Sequence, residues 1–165
     1  MQKIILKMER KMDSIDCQLL EILQHNGRAT IKELAEQLGL SSTPVFERVK
    51  KLEKSGIIDH YSAILNADKV GKKLFAYAHI SLKDHSKELV EMFTDQITKI
   101  PQVLECHYVT GDSDFILKIL LNDMDKYREF MMDQLFDMSN IAKVESFLSL
   151  SVLKNSNFIE MTDNS

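Results

Sequence analysis

The feature that most constrains this chain is a change of hydrophobic period near Gly56. Before it, apolar residues recur at helical spacing; from Leu74 onward they mostly alternate. Three helices are predicted ahead of the change. The first runs from about Ser14 to His25, with Ile15, Leu19, Leu20, Ile22 and Leu23 on one stripe and Asn26-Gly27 closing it. The second opens on a capping box, Thr30 with Glu33, buries Ile31, Leu34, Ala35 and Leu38, and stops at Gly39. The third starts within Ser41-Ser42-Thr43-Pro44, where hydroxyls can cap free amides and proline is tolerated in the first turn. Val45, Val49 and Leu52 form its buried stripe, and Ser55-Gly56 ends it.

After Gly56 the segment from Ile57 to Asn66 has the pattern of a strand, a wing or an inter-domain link, and Asp68 to Lys73 marks a boundary. The alternating part then predicts strands at Leu74 to Leu82, Val103 to Val109, Phe115 to Leu121 and Val144 to Leu153. Helices are expected at Ser86 to Ile100, stopped by Pro101, and at Asp123 to Asp137. The order βαββαβ implies a ferredoxin-like antiparallel sheet with two helices on one face. Its other face would be open and partly apolar, which predicts homo-oligomerisation. The fold class is thus α+β, with residues 1–60 a helix-turn-helix domain, 61–73 a linker, 74–155 the α/β domain and 156–165 a tail.

Composition narrows the function classes. The net charge of -4 is unevenly divided: residues 1–60 hold 10 Lys+Arg against 9 Asp+Glu, residues 61–165 hold 11 against 16. A compact basic face therefore remains available for phosphate contact despite the acidic total. The short apolar cluster Ile4-Ile5-Leu6 is neither a secretory core nor a membrane span, so a cytoplasmic protein is expected. Cys17 and Cys106 lack metal-ligand spacing and are expected as buried free thiols, with no metal and no cofactor.

Ala29 to Ile58 carries the functional signal: a capped helix, a glycine-containing turn and a second helix, the order of a helix-turn-helix. Ala35 is small enough for close helix crossing, Gly39 permits the turn and Leu40 is expected in the core. The second helix would place Ser41, Ser42, Thr43, Phe46, Glu47 and Arg48 near base edges, with Arg48 able to read guanine, and Lys50, Lys51 and Lys54 near phosphates. The plainer reading of the charges is a solvated helix face. Arg28 would either meet phosphate or cap the first helix.

Four stretches together resemble the Lrp/AsnC family of feast/famine regulators over Met12 to about Phe158. They are Asp13-Ser14-Ile15-Asp16 leading to Leu19, Leu20 and Leu23; Asn26-Gly27-Arg28; LAEQLGLSSTPVFERVKKLEKSGII from Leu34; and CHYVTGDSDFILKI from Cys106. The resemblance implies a winged helix-turn-helix, a ligand-sensing RAM domain, dimers joined through their sheets, octamers of four dimers, and amino acids as effectors. It also implies an effector site at Tyr108, Thr110, Gly111, Asp112 and Asp114, with Ser146 on the final strand, where turn amides and aspartates suit a zwitterion. The plainer reading is that Gly111 and the aspartates only make the reversal. Met138-Ser139-Asn140 replaces a common Leu-Pro-Gly stretch, and Val144 and Ser146 replace two threonines. The rival readings are an effector-independent DNA-organising protein and an enzyme, since some haem-pathway decarboxylases resemble the family. His79, His85 and His107 are the candidate catalytic groups for that rival, but no nucleophile with a paired base is visible, and no catalytic residue is expected.

Overall fold

The computed structural model describes residues 12–161. It divides into two compact units, one of residues 12–64 with 155–161, the other Leu65–Lys154. The Ile4-Ile5-Leu6 cluster lies outside the described residues. Among the described residues no helix is long and apolar enough to cross a membrane.

The helical unit contains α1 (Ser14–His25), α2 (Ile31–Leu38) and α3 (Ser42–Ser55). Each begins for a local reason. Asp13 caps α1, its carboxylate accepting from the Asp16 N–H at 2.8 Å. The predicted capping box forms at α2: Thr30 N–H donates to Glu33 at 2.7 Å and Glu33 N–H donates to the Thr30 hydroxyl. Gly39 ends α2 at φ 65°, a left-handed conformation that favours glycine. Leu19, Leu20, Leu34, Ala35, Val45, Val49 and Leu52 form the core. Leu40, expected in that core, is 38% exposed; Leu38 packs there instead.

No strand follows α3. The amides of Ile57 and Ile58 both donate to the Leu52 carbonyl, Ile58 packs on the helical core, and the Tyr61 hydroxyl donates to Glu53 at 3.1 Å. These contacts fold the segment back on its own helices, so the alternation that predicted a strand has no ladder to join. The 155–161 segment also belongs to this unit. The Gln24 side-chain amide both donates to the Ile159 carbonyl at 3.0 Å and accepts from its N–H at 2.7 Å. His25 stacks on Phe158, ring centroids 4.8 Å apart, and Met161 packs on the core.

The α/β unit contains β1 (Leu74–Leu82), α4 (Lys87–Ile97), β2 (Val103–Tyr108), β3 (Phe115–Leu121), α5 (Met124–Phe130) and β4 (Ile141–Leu148). The antiparallel sheet has the order β2-β3-β1-β4. Two elements differ from expectation. α5 widens into a π-type turn over Met131–Leu135, where Met131 and Leu135 are buried. β4 starts and ends earlier than its alternation suggests: Ile141 pairs with Leu82, Leu148 with Ala76, the Ser149 amide makes a last bond to the Phe75 carbonyl, and Leu150 and Leu153 are fully exposed. Ala76, Ala78, Ile80, Phe93, Ile97, Phe115, Leu117 and Ile119 fill the core.

Candidate nucleic-acid interface and ligand site

α3 is amphipathic in the manner expected. Val45, Val49 and Leu52 are buried, whereas Ser41, Ser42, Thr43, Phe46, Glu47, Lys50, Lys51 and Lys54 are all exposed. Ser41 is the N-cap residue, but its hydroxyl makes no capping hydrogen bond. The first-turn amides of α3 thus lack the side-chain acceptor that the serines suggested. Lys50 Nζ sits 4.5 Å from the centre of the Phe46 ring. Arg28 is exposed; its backbone N–H donates to Asn26 at 3.1 Å.

Arg48 is placed differently from the other charges. Its Nη1 donates to Asp13 and to Asp16, each at 2.7 Å, and the Asp16 carboxylate is 1% exposed. Through Nη1 the guanidinium ties α3 to the start of α1, a structural engagement beside the base-reading role expected of it. The pairing raises the pKa of Arg48, chiefly through Asp13 and then Asp16. The Asp13 pKa is lowered, first by the Asp16 N–H and then by Arg48. The motif Asp13-Ser14-Ile15-Asp16 carried a usable signal: an N-cap aspartate followed three residues later by a second acid on the buried side.

The turn between β2 and β3 shows a comparable internal use of charge. Gly111 has φ 126°, where a side chain would be strained. Asp114 Oδ2 accepts from the Leu82 N–H at 2.7 Å, Oδ1 lies 2.9 Å from His85 Nε2, and the Asp114 N–H donates to Ile80. Asp114 therefore latches the end of β1, a structural engagement beside the ammonium-accepting role expected of it. No sequence spacing signalled that contact. Asp112 and Thr110 are exposed, and the Asp112 carbonyl accepts weakly from Ser81 at 3.5 Å. Tyr108 is 67% exposed, its ring 4.9 Å from that of Phe115. Ser146, on edge strand β4, reaches the Met131 sulfur at 4.0 Å and lies opposite Ala78. The fold thus brings Tyr108, Thr110, Gly111 and Asp112 to one end of the sheet, with Ser146 apart from them.

The remaining histidines have ordinary partners: His79 packs on Phe147 at 4.9 Å and His107 Nε2 lies 3.3 Å from Glu105. Among the described residues no three His, Cys, Asp or Glu side chains gather as a metal site. Neither cysteine forms a disulfide among the described residues; Cys17 is buried as expected and Cys106 only half-buried, its thiol pKa raised by desolvation.

Comparison with known proteins joins these features. Residues 75–158 match the model of the Lrp/AsnC ligand binding domain, and residues 12–59 match that of a winged helix-turn-helix DNA-binding domain. The chain is 35% identical over 163 residues to the leucine-responsive regulatory protein of Haemophilus influenzae, covering 96% of this chain and 98% of that one. It is 33% identical over 148 residues to the protein of the same name from Escherichia coli K12, 90% of each. A transcriptional regulator of Neisseria meningitidis, solved as its L-Met complex, superposes with a TM-score of 0.86 at 32% identity, covering 93% of this chain and 97% of that one. The chain belongs to the Lrp/AsnC family of DNA-binding transcriptional regulators.

Proposed function

We propose that this regulator inserts the N-terminal half of α3 into the major groove, works as a dimer or an octamer of four dimers, and responds to an amino acid. The observation that carries the DNA contact is the exposed α3 surface, where base-facing side chains precede Lys50, Lys51 and Lys54 and the first-turn amides lack a side-chain cap. The open sheet face supports sheet-to-sheet dimers. Phe75, Tyr77, Ile116, Leu120 and Phe147 lie there, with Phe147 53% and Tyr77 38% exposed. Such a dimer would read two half-sites on one face of a duplex. The Neisseria relative binds L-Met, which supports an amino acid as effector here; Tyr108, Thr110, Gly111 and Asp112 are its proposed surroundings. Work on DNA implies a cytoplasmic protein, associated with the nucleoid when bound.

Fluorescence anisotropy with a labelled duplex, across a salt series, tests the DNA reading. Lys54→Ala should lower the slope of log affinity against log salt by about one without changing sequence preference. An unchanged slope removes Lys54 from the phosphate contacts. A thermal-shift screen against the common amino acids tests the effector. The internal engagement of Asp114 favours a second reading, effector-independent DNA organisation, which a selective shift by one amino acid rejects.

A further inference from the structure

We propose that Phe46 is a thymine reader: its ring, steadied by Lys50 one turn on, packs against the C5-methyl group of a thymine in the major groove. The inference rests on the docking of α3 given under Proposed function and names the base feature that this docking selects.

Side chains four apart on a helix lie along one ridge, so α3 presents two exposed ridges: Ser42, Phe46 and Lys50, and beside it Thr43, Glu47 and Lys51. Phe46 is 40% exposed and is not part of the helical core. An aromatic ring offers nothing to a phosphate. Nor does it swing freely, because the Lys50 ammonium lies 4.5 Å from its centre, an attraction that orders the ring before DNA arrives.

Glu47 indicates which part of the duplex this turn of α3 faces. Its carboxylate is exposed and has no ion pair among the described residues. Phosphates repel it, whereas the amino groups of cytosine and adenine on the groove floor can donate to it. The neighbouring Phe46 is then directed at base edges. Most major-groove base-edge groups are nitrogen or oxygen acceptors or amino donors, and a phenyl ring would strip their water without replacing the hydrogen bonds. The thymine methyl is the carbon surface on those edges, and burying it against the ring is favourable.

Duplexes enriched by the full-length protein from a random-sequence library supply the site, and replacing single thymines with deoxyuridine removes only the methyl group. One thymine in each half-site is expected to lose roughly three- to tenfold in affinity on that replacement. Phe46→Ala, at an unchanged melting temperature, should abolish the difference, and Phe46→Leu should keep part of it because carbon surface remains. The inference is overturned if the enriched site has no invariant thymine, if no deoxyuridine replacement weakens binding, or if Phe46→Ala retains the full penalty. Failure of the docking itself looks different: alanine at Lys50, Lys51 and Lys54 would then leave DNA affinity unchanged, and the thymine assignment would fall with it.

Discussion

The helical unit has a core cluster of seven buried apolar residues and Asp16 as its buried charged side chain, while the α/β unit packs fourteen and has Asn140 as its buried polar side chain, among the described residues. The larger core has more apolar area to hold it, alongside the hydrogen bonds of Asn140 with Asp84 and of Asp114 with the Leu82 amide. In the smaller one, three short helices leave less area to remove from water, and a charged tie from Arg48 to Asp13 and Asp16 sets where α3 lies against α1. A buried ion pair adds little net stability relative to apolar packing, but it is specific about geometry. In a unit whose task is to present one helix surface, geometry is what the tie contributes. The Arg48 and Asp114 side chains, both singled out as ligand contacts from sequence, each also fasten one element to another.

The contrast breaks most sharply at Asp16. Asp16→Ala leaves Arg48 with a single exposed partner and should cost the helical unit about 2 kcal/mol, read by denaturant unfolding, since it removes the buried acceptor of a charge-assisted hydrogen bond. A loss below about 1 kcal/mol would mean that the helical core rests on apolar packing. Asp114→Ala comes next. It should cost the α/β unit about 1.5–2 kcal/mol by freeing the Leu82 amide, equally with and without amino acids present. A ligand-dependent loss would instead return Asp114 to the effector site.

Acidification is the mildest probe. The depressed pKa of Asp13 means that its contribution is present above the ordinary aspartate value near 4 and is lost as pH falls below it. The helical unit should therefore lose stability as pH falls through that range, in an acid titration followed by circular dichroism. Asp13→Asn should flatten its response in that range.

The fold was legible wherever a local pattern had a local cause. Capping residues, the αL glycine and the two hydrophobic periods placed α1 to α3 and β1 to β3 within a few residues. What the pattern missed depended on partners distant in sequence. Val144 to Leu153 alternates throughout, yet the pairing with β1 stops at Leu148 and its last bond is from the Ser149 amide to Phe75, the second residue of β1. Ile57 to Asn66 alternates too, but its amides turn to Leu52. Of the candidate site, the exposed ridge of α3 was readable from helical spacing. The engagement of Arg48 by Asp13 and Asp16, 35 and 32 residues away, was not, and neither was that of Asp114 by Leu82.

The clasp between Gln24 and Ile159 also bears on the order in which the protein is made. These residues are 135 positions apart. At elongation rates of about 5–20 residues per second, α1 leaves the ribosome roughly ten seconds before the segment that completes its surface. The whole α/β unit is synthesised in between. A nascent helix-turn-helix thus waits with part of its apolar flank uncovered, and the DNA-reading unit that begins first is finished last.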